Sequence, residues 1–321
     1  VNPPLLEVAG LSVELPGPPA VRPVQSVDLV VHAGETLCVV GESGCGKSLT
    51  ALALTGLLPA GMRRQATALR FAGEDLLGAS PARLNDLLGD RMAMIFQDPM
   101  TALNPVLTIG EQLEEVWRRH RPASPKAGRE RALLLLERVG VPAAAARLLQ
   151  FPHQLSGGLR QRVMIAMALM CDPALLIADE PTTALDVTIQ AQTLHVLATL
   201  RREFGAGMIL VTHDLGVVAR IADRVAVMYA GQIVETAPAA ALFATPRHPY
   251  TRGLLGAIAV PGRQRPRERL STIPGSVPAP TDAVRLCLFA ARCPEVEAAC
   301  TAAPVLPRDT GAGHLVRCVR A

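Results

Sequence analysis

The eight residues Gly41-Glu42-Ser43-Gly44-Cys45-Gly46-Lys47-Ser48 match G-x-x-x-x-G-K-S in full, directly after the apolar run Thr36-Leu37-Cys38-Val39-Val40. The run predicts a buried strand, and the residues from Ser48 to about Leu58 predict a helix. Strand, glycine-rich loop and helix in that order constrain the fold more than any other stretch. Glycines let backbone N–H groups converge on phosphate oxygens with no Cβ in the way. The helix that follows adds the positive end of its dipole. In such a loop Lys47 reaches the β- and γ-phosphates and the Ser48 hydroxyl ligates Mg²⁺. Lysine occurs only at 47 and 126, so thirty of the 32 Lys and Arg residues are arginine. A compact ammonium therefore stands where a tight phosphate cradle has no room for a guanidinium.

A second signal lies downstream. Asp179-Glu180 closes the apolar run Leu175-Leu176-Ile177-Ala178. A carboxylate at the C-terminal tip of a buried parallel strand faces the ligand crevice of an open α/β sheet. Asp179 is expected to hold Mg²⁺, directly or through water. Glu180 is expected to polarise the water that attacks the γ-phosphate.

Strands are expected at 6–8, 11–15, 27–31, 36–40, 93–96, 174–178 and 208–211, with helices at 48–58, 156–170 and 187–204. Val225–Tyr229 and Gln232–Glu235, joined by Ala230-Gly231, predict a hairpin. The alternation indicates a largely parallel sheet with antiparallel additions. After about Pro261 the texture changes to proline, arginine and cysteine, and no internal repeat is visible.

The chain has 321 residues, half of them apolar and 3% aromatic, with a net charge of +4. That charge is too mild, and the arginines too scattered, to argue for nucleic acid. No run approaches the roughly 18–20 apolar residues of a membrane span, and no signal peptide is visible. The expectation is a cytoplasmic protein. Cys38, Cys45 and Cys171 read as small packing residues. Cys287, Cys293, Cys300 and Cys318 crowd the last stretch of chain with spacing C-x₅-C-x₆-C-x₁₇-C. That is not a zinc-knuckle pattern, although four thiolates suit either a 4Fe–4S cluster or tetrahedral zinc.

Three further motifs complete the pattern: Leu155-Ser156-Gly157-Gly158-Leu159-Arg160-Gln161-Arg162 before the Asp179 strand, Phe96-Gln97-Asp98-Pro99, and Val211-Thr212-His213-Asp214. With Thr183-Ala184-Leu185-Asp186 they resemble the nucleotide-binding subunit of ATP-binding-cassette transporters over about residues 5–255. The resemblance implies an α/β fold: a P-loop NTPase cassette core with an antiparallel β subdomain, a helical subdomain at about 98–165, and a small cysteine-containing extension at 256–321 beyond the 1–255 cassette. It also implies ATP hydrolysis. Gly41, Ser43, Gly44, Cys45, Gly46, Lys47, Ser48 and Leu49 would bind the phosphates. Ser156, Gly157 and Gly158 would recognise the γ-phosphate held by a partner subunit, and Asp186 would shape that dimer interface. Gln97 would sense Mg²⁺ and water, and His213 would contact the γ-phosphate and help position Glu180. One departure is the absence of Phe, Tyr and Trp before Phe71, which removes the usual adenine-stacking residue.

Phe96 to Pro105, the run Thr245-Pro246-Arg247-His248-Pro249-Tyr250-Thr251, and Ile273-Pro274-Gly275 ahead of the cysteines resemble the oligopeptide/dipeptide (and nickel) importer branch. The resemblance implies import of di- or oligopeptides, with nickel or another small solute as the alternative. The implied partners are a second cassette subunit, identical or paralogous, two transmembrane permease subunits and an extracytoplasmic solute-binding protein. The implied location is the cytoplasmic face of the membrane. It also implies a 4Fe–4S cluster on Cys287, Cys293, Cys300 and Cys318 in a structural role, with zinc or an empty thiol set as alternatives. His248 and Tyr250 are expected only to pack the extension. A rival from another class is a soluble cassette protein serving DNA repair, translation or regulation. Such proteins often carry two cassettes on one chain or a long coiled-coil insertion, and this chain has neither.

Overall fold

A computed structural model describes residues 3–121, 125–182, 187–257, 272–279 and 286–321. The strands are β1 (Leu6–Leu15), β2 (Val21–Val31), β3 (Thr36–Val40), β4 (Arg63–Gln65), β5 (Ala68–Phe71), β6 (Glu74–Asp75), β7 (Met92–Ile95), β8 (Leu175–Asp179), β9 (Gly207–Thr212), β10 (Arg224–Tyr229), β11 (Gln232–Pro238), β12 (Arg308–Asp309) and β13 (Leu315–Val316). The helices are α1 (Lys47–Thr55), α2 (Pro81–Leu87), α3 (Pro99–Ala102), α4 (Ile109–His120), α5 (Pro125–Arg138), α6 (Ala144–Arg147), α7 (Gly157–Ala168), α8 (Val187–Phe204), α9 (Leu215–Ile221), α10 (Ala239–Ala244) and α11 (Pro249–Gly256). The chain folds into two compact units, neither of them continuous in sequence.

One unit comprises Val1–Leu6, Val30–Thr36 and Arg70–Val211. Its sheet places β8 between β7 and β9, all parallel, with Ile95 opposite Ala178 and Asp179 opposite Val211. Every residue of β8 and β9 is buried. That explains why these strands read as continuous apolar runs rather than alternations. Helices α3, α4, α5 and α8 pack around α7. Several of these helices begin on sequence-encoded caps. Thr108 and Glu111 form a reciprocal capping box at α4, while the side chains of Asp98 and Ser156 cap α3 and α7.

The other unit comprises Glu7–Leu29, Leu37–Leu69 and Thr212–Ala321. Here the sheet order is β12-β13-β11-β10-β3. Strand β10 runs parallel to β3, with Val227 opposite Val40, and forms the expected hairpin with β11, with a bulge after Val227. Strand β1 pairs with β2 and, antiparallel, with the short β4. The core is tight, with Leu11, Val13, Val27, Cys38 and Val227 all at or below 1% exposure and Tyr229 and Tyr250 its largest fully buried side chains.

The structure differs from the sequence reading at several boundaries. Residues 6–15 form one strand rather than two, because Gly10 takes a left-handed φ of 62° and lets the strand continue. Strand β2 starts at Val21, ahead of the strand expected at 27–31. Strand β7 ends at Ile95 rather than at Phe96, so Gln97 lies two residues past it. Strands β4–β6, β12 and β13 were not foreseen. They are too short for any periodicity and exist only through their pairings. Among the described residues, no helix is long and apolar enough to cross a membrane.

Candidate functional site

The glycine-rich loop turns out of β3, and Gly46 is the residue before α1. Two of its glycines answer to close approach. A Cβ on Gly41 would stand 2.1 Å from the Met228 carbonyl oxygen, and one on Gly46, at φ 103°, would stand 2.5 Å from the Pro23 oxygen. Any side chain at either position would force the loop off its support. Lys47 is buried, and its Nζ donates to the carbonyls of Gly41 (2.8 Å) and Glu42 (3.0 Å), with Cys45 Sγ at 3.7 Å. The lysine thus spans its own loop, with its ammonium held among the residues that would cradle phosphate. Burial pushes the Cys45 thiol above its ordinary range, with Lys47 opposing. Ser43 and Gly44 are exposed at the tip, and Ser48 and Leu49 are half-buried at the start of α1.

His213 follows the last residue of β9 and is exposed. Its neighbour Asp214 caps α9 by accepting from the N–H groups of Gly216 and Val217, which fixes the turn that carries the histidine.

In the first unit, β8 delivers Asp179, buried at 5% exposure, as its final residue. Glu180 leaves the strand with φ 43°, a left-handed backbone that a non-glycine residue adopts at a cost of about 1 kcal/mol. Its N–H still bonds the Val211 carbonyl at 2.9 Å, so the turn is anchored to β9. The Gln97 amide donates to Glu180 Oε2 at 3.1 Å, joining two residues that the sequence reading treated as separate motifs. Asp179 is the buried hard oxygen donor that a Mg²⁺ site needs, and Gln97 adds a neutral one. Ser156 and Gly157 are exposed at the N-terminus of α7, and no atom lies within 4 Å of where a Gly157 Cβ would stand. Asp186 and its motif neighbours lie outside the described residues.

The four tail cysteines converge. Cys287, Cys293, Cys300 and Cys318 line one small cavity with His248, Pro249, Phe289 and Val305. The pairing of β13 with β11 carries Cys318 in, and the N–H of Cys287 bonds the Cys300 carbonyl at 3.2 Å. Burial raises the Cys287 thiol pKa above its ordinary range, with the neighbouring thiols adding to the rise and the Phe289 N–H opposing it. Among the described residues, no three His, Cys, Asp or Glu side chains are close enough to share one metal ion. Tetrahedral zinc, with thiolates about 3.8 Å apart for Zn–S bonds of about 2.3 Å, is therefore not pre-arranged. The four thiols thus line one cavity together with Glu295 and Arg320, and their placement alone does not mark a metal or cluster site.

Sequence reading missed the belt that seats this tail. Tyr229, Tyr250 and Phe289 pack in tilted and edge-to-face pairs with ring centroids 4.6–5.4 Å apart, and His248 lies 5.8 Å from Phe289. The Tyr250 hydroxyl accepts the Glu42 N–H at 3.0 Å, and the Arg292 guanidinium forks onto both Glu42 carboxylate oxygens at 2.7 and 2.9 Å. Tyr250 thus ties the phosphate loop as well as packing against the extension. A run of aromatics at 229, 250 and 289 in an aromatic-poor chain was the available signal.

Residues 24–183 match the ABC transporter family model, and residues 234–300 match the model of the oligopeptide/dipeptide transporter C-terminal region. The dipeptide transport ATP-binding protein DppD of Bacillus subtilis (strain 168) is 48% identical over 301 residues, covering 93% of this chain and 89% of its own length. Among solved structures, a dimeric ATP-binding cassette in a post-hydrolysis state bound to ADP and phosphate superposes with a TM-score of 0.66. It is 26% identical and covers 73% of this chain and 98% of its own. A Clostridium perfringens component of the ABC transporter complex cbiONQ shares the fold at a TM-score of 0.64 and 24% identity, covering 76% and 92%. The chain belongs to the ABC transporter family, as an ATP-binding subunit of its oligopeptide/dipeptide branch.

Proposed function

We propose that this chain hydrolyses ATP to energise import of di- or oligopeptides through a membrane transporter. The observation that carries the cargo class is the match of residues 234–300 to the oligopeptide/dipeptide C-terminal region, a segment outside the catalytic motifs. In this reading residues 1–255 are the cassette and 256–321 its extension. The protein sits on the cytoplasmic face of the membrane with a second cassette and two permease subunits, and an extracytoplasmic solute-binding protein delivers the peptide. Met100 and Val106 support a docking role for the segment after Gln97, since both are large apolar residues left 58% and 74% exposed.

Gly41 to Leu49 bind the phosphates through backbone N–H groups and Lys47. Ser48, Asp179 and Gln97 hold Mg²⁺, which when bound neutralises phosphate charge. Glu180 takes a proton from the attacking water, and its hydrogen bond to Gln97 keeps that carboxylate oriented. His213 contacts the γ-phosphate. Ser156, Gly157 and Gly158 complete the site of a partner cassette, and Asp186 shapes that interface. The four tail thiols hold a 4Fe–4S cluster in a structural role, since a short proline-rich tail builds little core of its own.

The test is reconstitution of the purified complex into liposomes with its solute-binding protein. ATP-dependent uptake of a labelled dipeptide, abolished by Glu180→Gln, supports the reading. Uptake of Ni²⁺ instead of peptide replaces the cargo. Copurification with ribosomes or DNA and no permease overturns it.

A further inference from the structure

Glu42 is the only acidic residue in the eight-residue phosphate loop. It sits beside the groups that would receive a polyphosphate, and a free carboxylate there opposes that ligand. It is not free. Both of its oxygens are taken by Arg292, whose side chain is 5% exposed against 29% for Glu42.

Arg292 is itself held from every side by the tail. Its Nε donates to the Pro274 carbonyl at 2.8 Å and its Nη2 to the Ile273 carbonyl at 3.2 Å. Its guanidinium carbon lies 5.6 Å from the Tyr229 ring centroid, and a Cβ on Gly275 would stand 3.3 Å from its Cγ. It closes the short turn Ala290–Arg292, between Cys287 and Cys293, so its place depends on the fold of the cysteine region. Tyr250, in α11, adds a second tie by accepting the Glu42 N–H.

We propose that Arg292 is a positioning residue for nucleotide binding: it draws the Glu42 carboxylate away from the phosphates and makes an ordered cysteine tail a condition for a receptive loop. The proposal rests on the reading of Gly41–Ser48 as the phosphate site. An arginine suits the task because its planar fork holds both carboxylate oxygens at once, which a lysine cannot. The geometry couples two parts of one chain that are 250 residues apart.

The experiment titrates MgADP into the purified full chain. Wild type and Lys47→Ala come first: if wild type binds and Lys47→Ala does not, the phosphate-site reading stands and the clamp can be judged separately. Arg292→Ala is then expected to weaken binding roughly tenfold, as an unscreened carboxylate next to a polyanion would. Adding Glu42→Gln to Arg292→Ala is expected to restore affinity to within about threefold of wild type. A merely structural arginine predicts the opposite, because removing both partners cannot re-seat the tail. Glu42→Gln alone is expected to bind at least as tightly as wild type, and it remains informative if Arg292→Ala does not fold. Unchanged affinity in Arg292→Ala, no recovery in the double variant, or weaker binding in Glu42→Gln would each overturn the proposal.

Discussion

Gln97 and Glu180 lie 83 positions apart in sequence, and the Gln97 amide donates to the Glu180 carboxylate at 3.1 Å. A carboxylate that leaves its strand at a positive φ and then receives an amide N–H is held in one orientation from both ends. General bases owe their effect to such fixed orientation as much as to basicity. Glu180→Gln is therefore expected to cut ATP turnover by about 10²–10⁴-fold while nucleotide binding persists. Gln97→Ala, which removes that amide donor and leaves the carboxylate in place, is expected to cost roughly tenfold, since orientation is then only partly lost. Phosphate release and nucleotide titration on the same preparations check both. Loss of binding in Glu180→Gln would assign the residue a different role.

Cys45 stands inside the phosphate loop, yet it is 0% exposed and burial holds its thiol pKa above the ordinary range. The sign follows directly: a raised pKa keeps the sulfur protonated at neutral pH, and the protonated thiol is a poor nucleophile. Cys38 and Cys171 are buried too, and their thiols are shifted in the same direction by the same cause. Native protein treated with iodoacetamide at pH 7.5 (an ordinary assay condition, about one unit below a free thiol) is expected to leave all three unlabelled. Labelling should appear only after denaturation. Peptide mass mapping reads the outcome, and rapid native labelling of Cys45 with loss of nucleotide binding would show that the loop opens.

Much of the nucleotide chemistry was legible because it is local. Gly41 to Ser48 is a contiguous run whose spacing states its own geometry, and the buried strand before Asp179 announces itself by apolarity alone. What sequence could not show depends on pairing across long separations. Arg292 reaches Glu42 across 250 residues, and nothing near either residue marks the other. Strands β12 and β13 have two residues each and take their form from β11. The extension was visible as a cluster of cysteines, but not as part of the same sheet.

The four cysteines of the extension line one cavity, and on the proposed reading of them as cluster ligands, removal of any one is expected to release the whole cluster. Protein purified without oxygen is expected to be brown and to carry about four irons and four sulfides per chain. Cys300→Ser, at a buried position, is expected to lose that iron and to loosen the tail to proteolysis. Iron, zinc and acid-labile sulfide assays decide the matter. One zinc per chain and no sulfide would replace the cluster with a mononuclear site.

Glu235 anchors the extension from the sheet side. Its side chain is 0% exposed and meets three partners: the N–H groups of Arg247 (2.7 Å) and His248 (3.0 Å) and Nε2 of His314 (2.7 Å). The first two belong to the turn that enters α11, and the third belongs to the segment just before β13. One carboxylate on β11 thus ties both the turn into α11 and the segment just before β13 to that strand. Glu235→Ala would leave those polar groups buried and unpaired, each costing about 1–3 kcal/mol, so a loss of about 3 kcal/mol or more is expected. Glu235→Gln keeps the volume but offers N–H groups where only acceptors fit, and it should fall between the two. Urea denaturation gives the energies, and limited proteolysis shows where they act. Early cleavage between 256 and 290 in Glu235→Ala, with the cassette still intact, is the expected pattern. Uniform loss of resistance along the whole chain would mean that Glu235 stabilises the sheet rather than the junction.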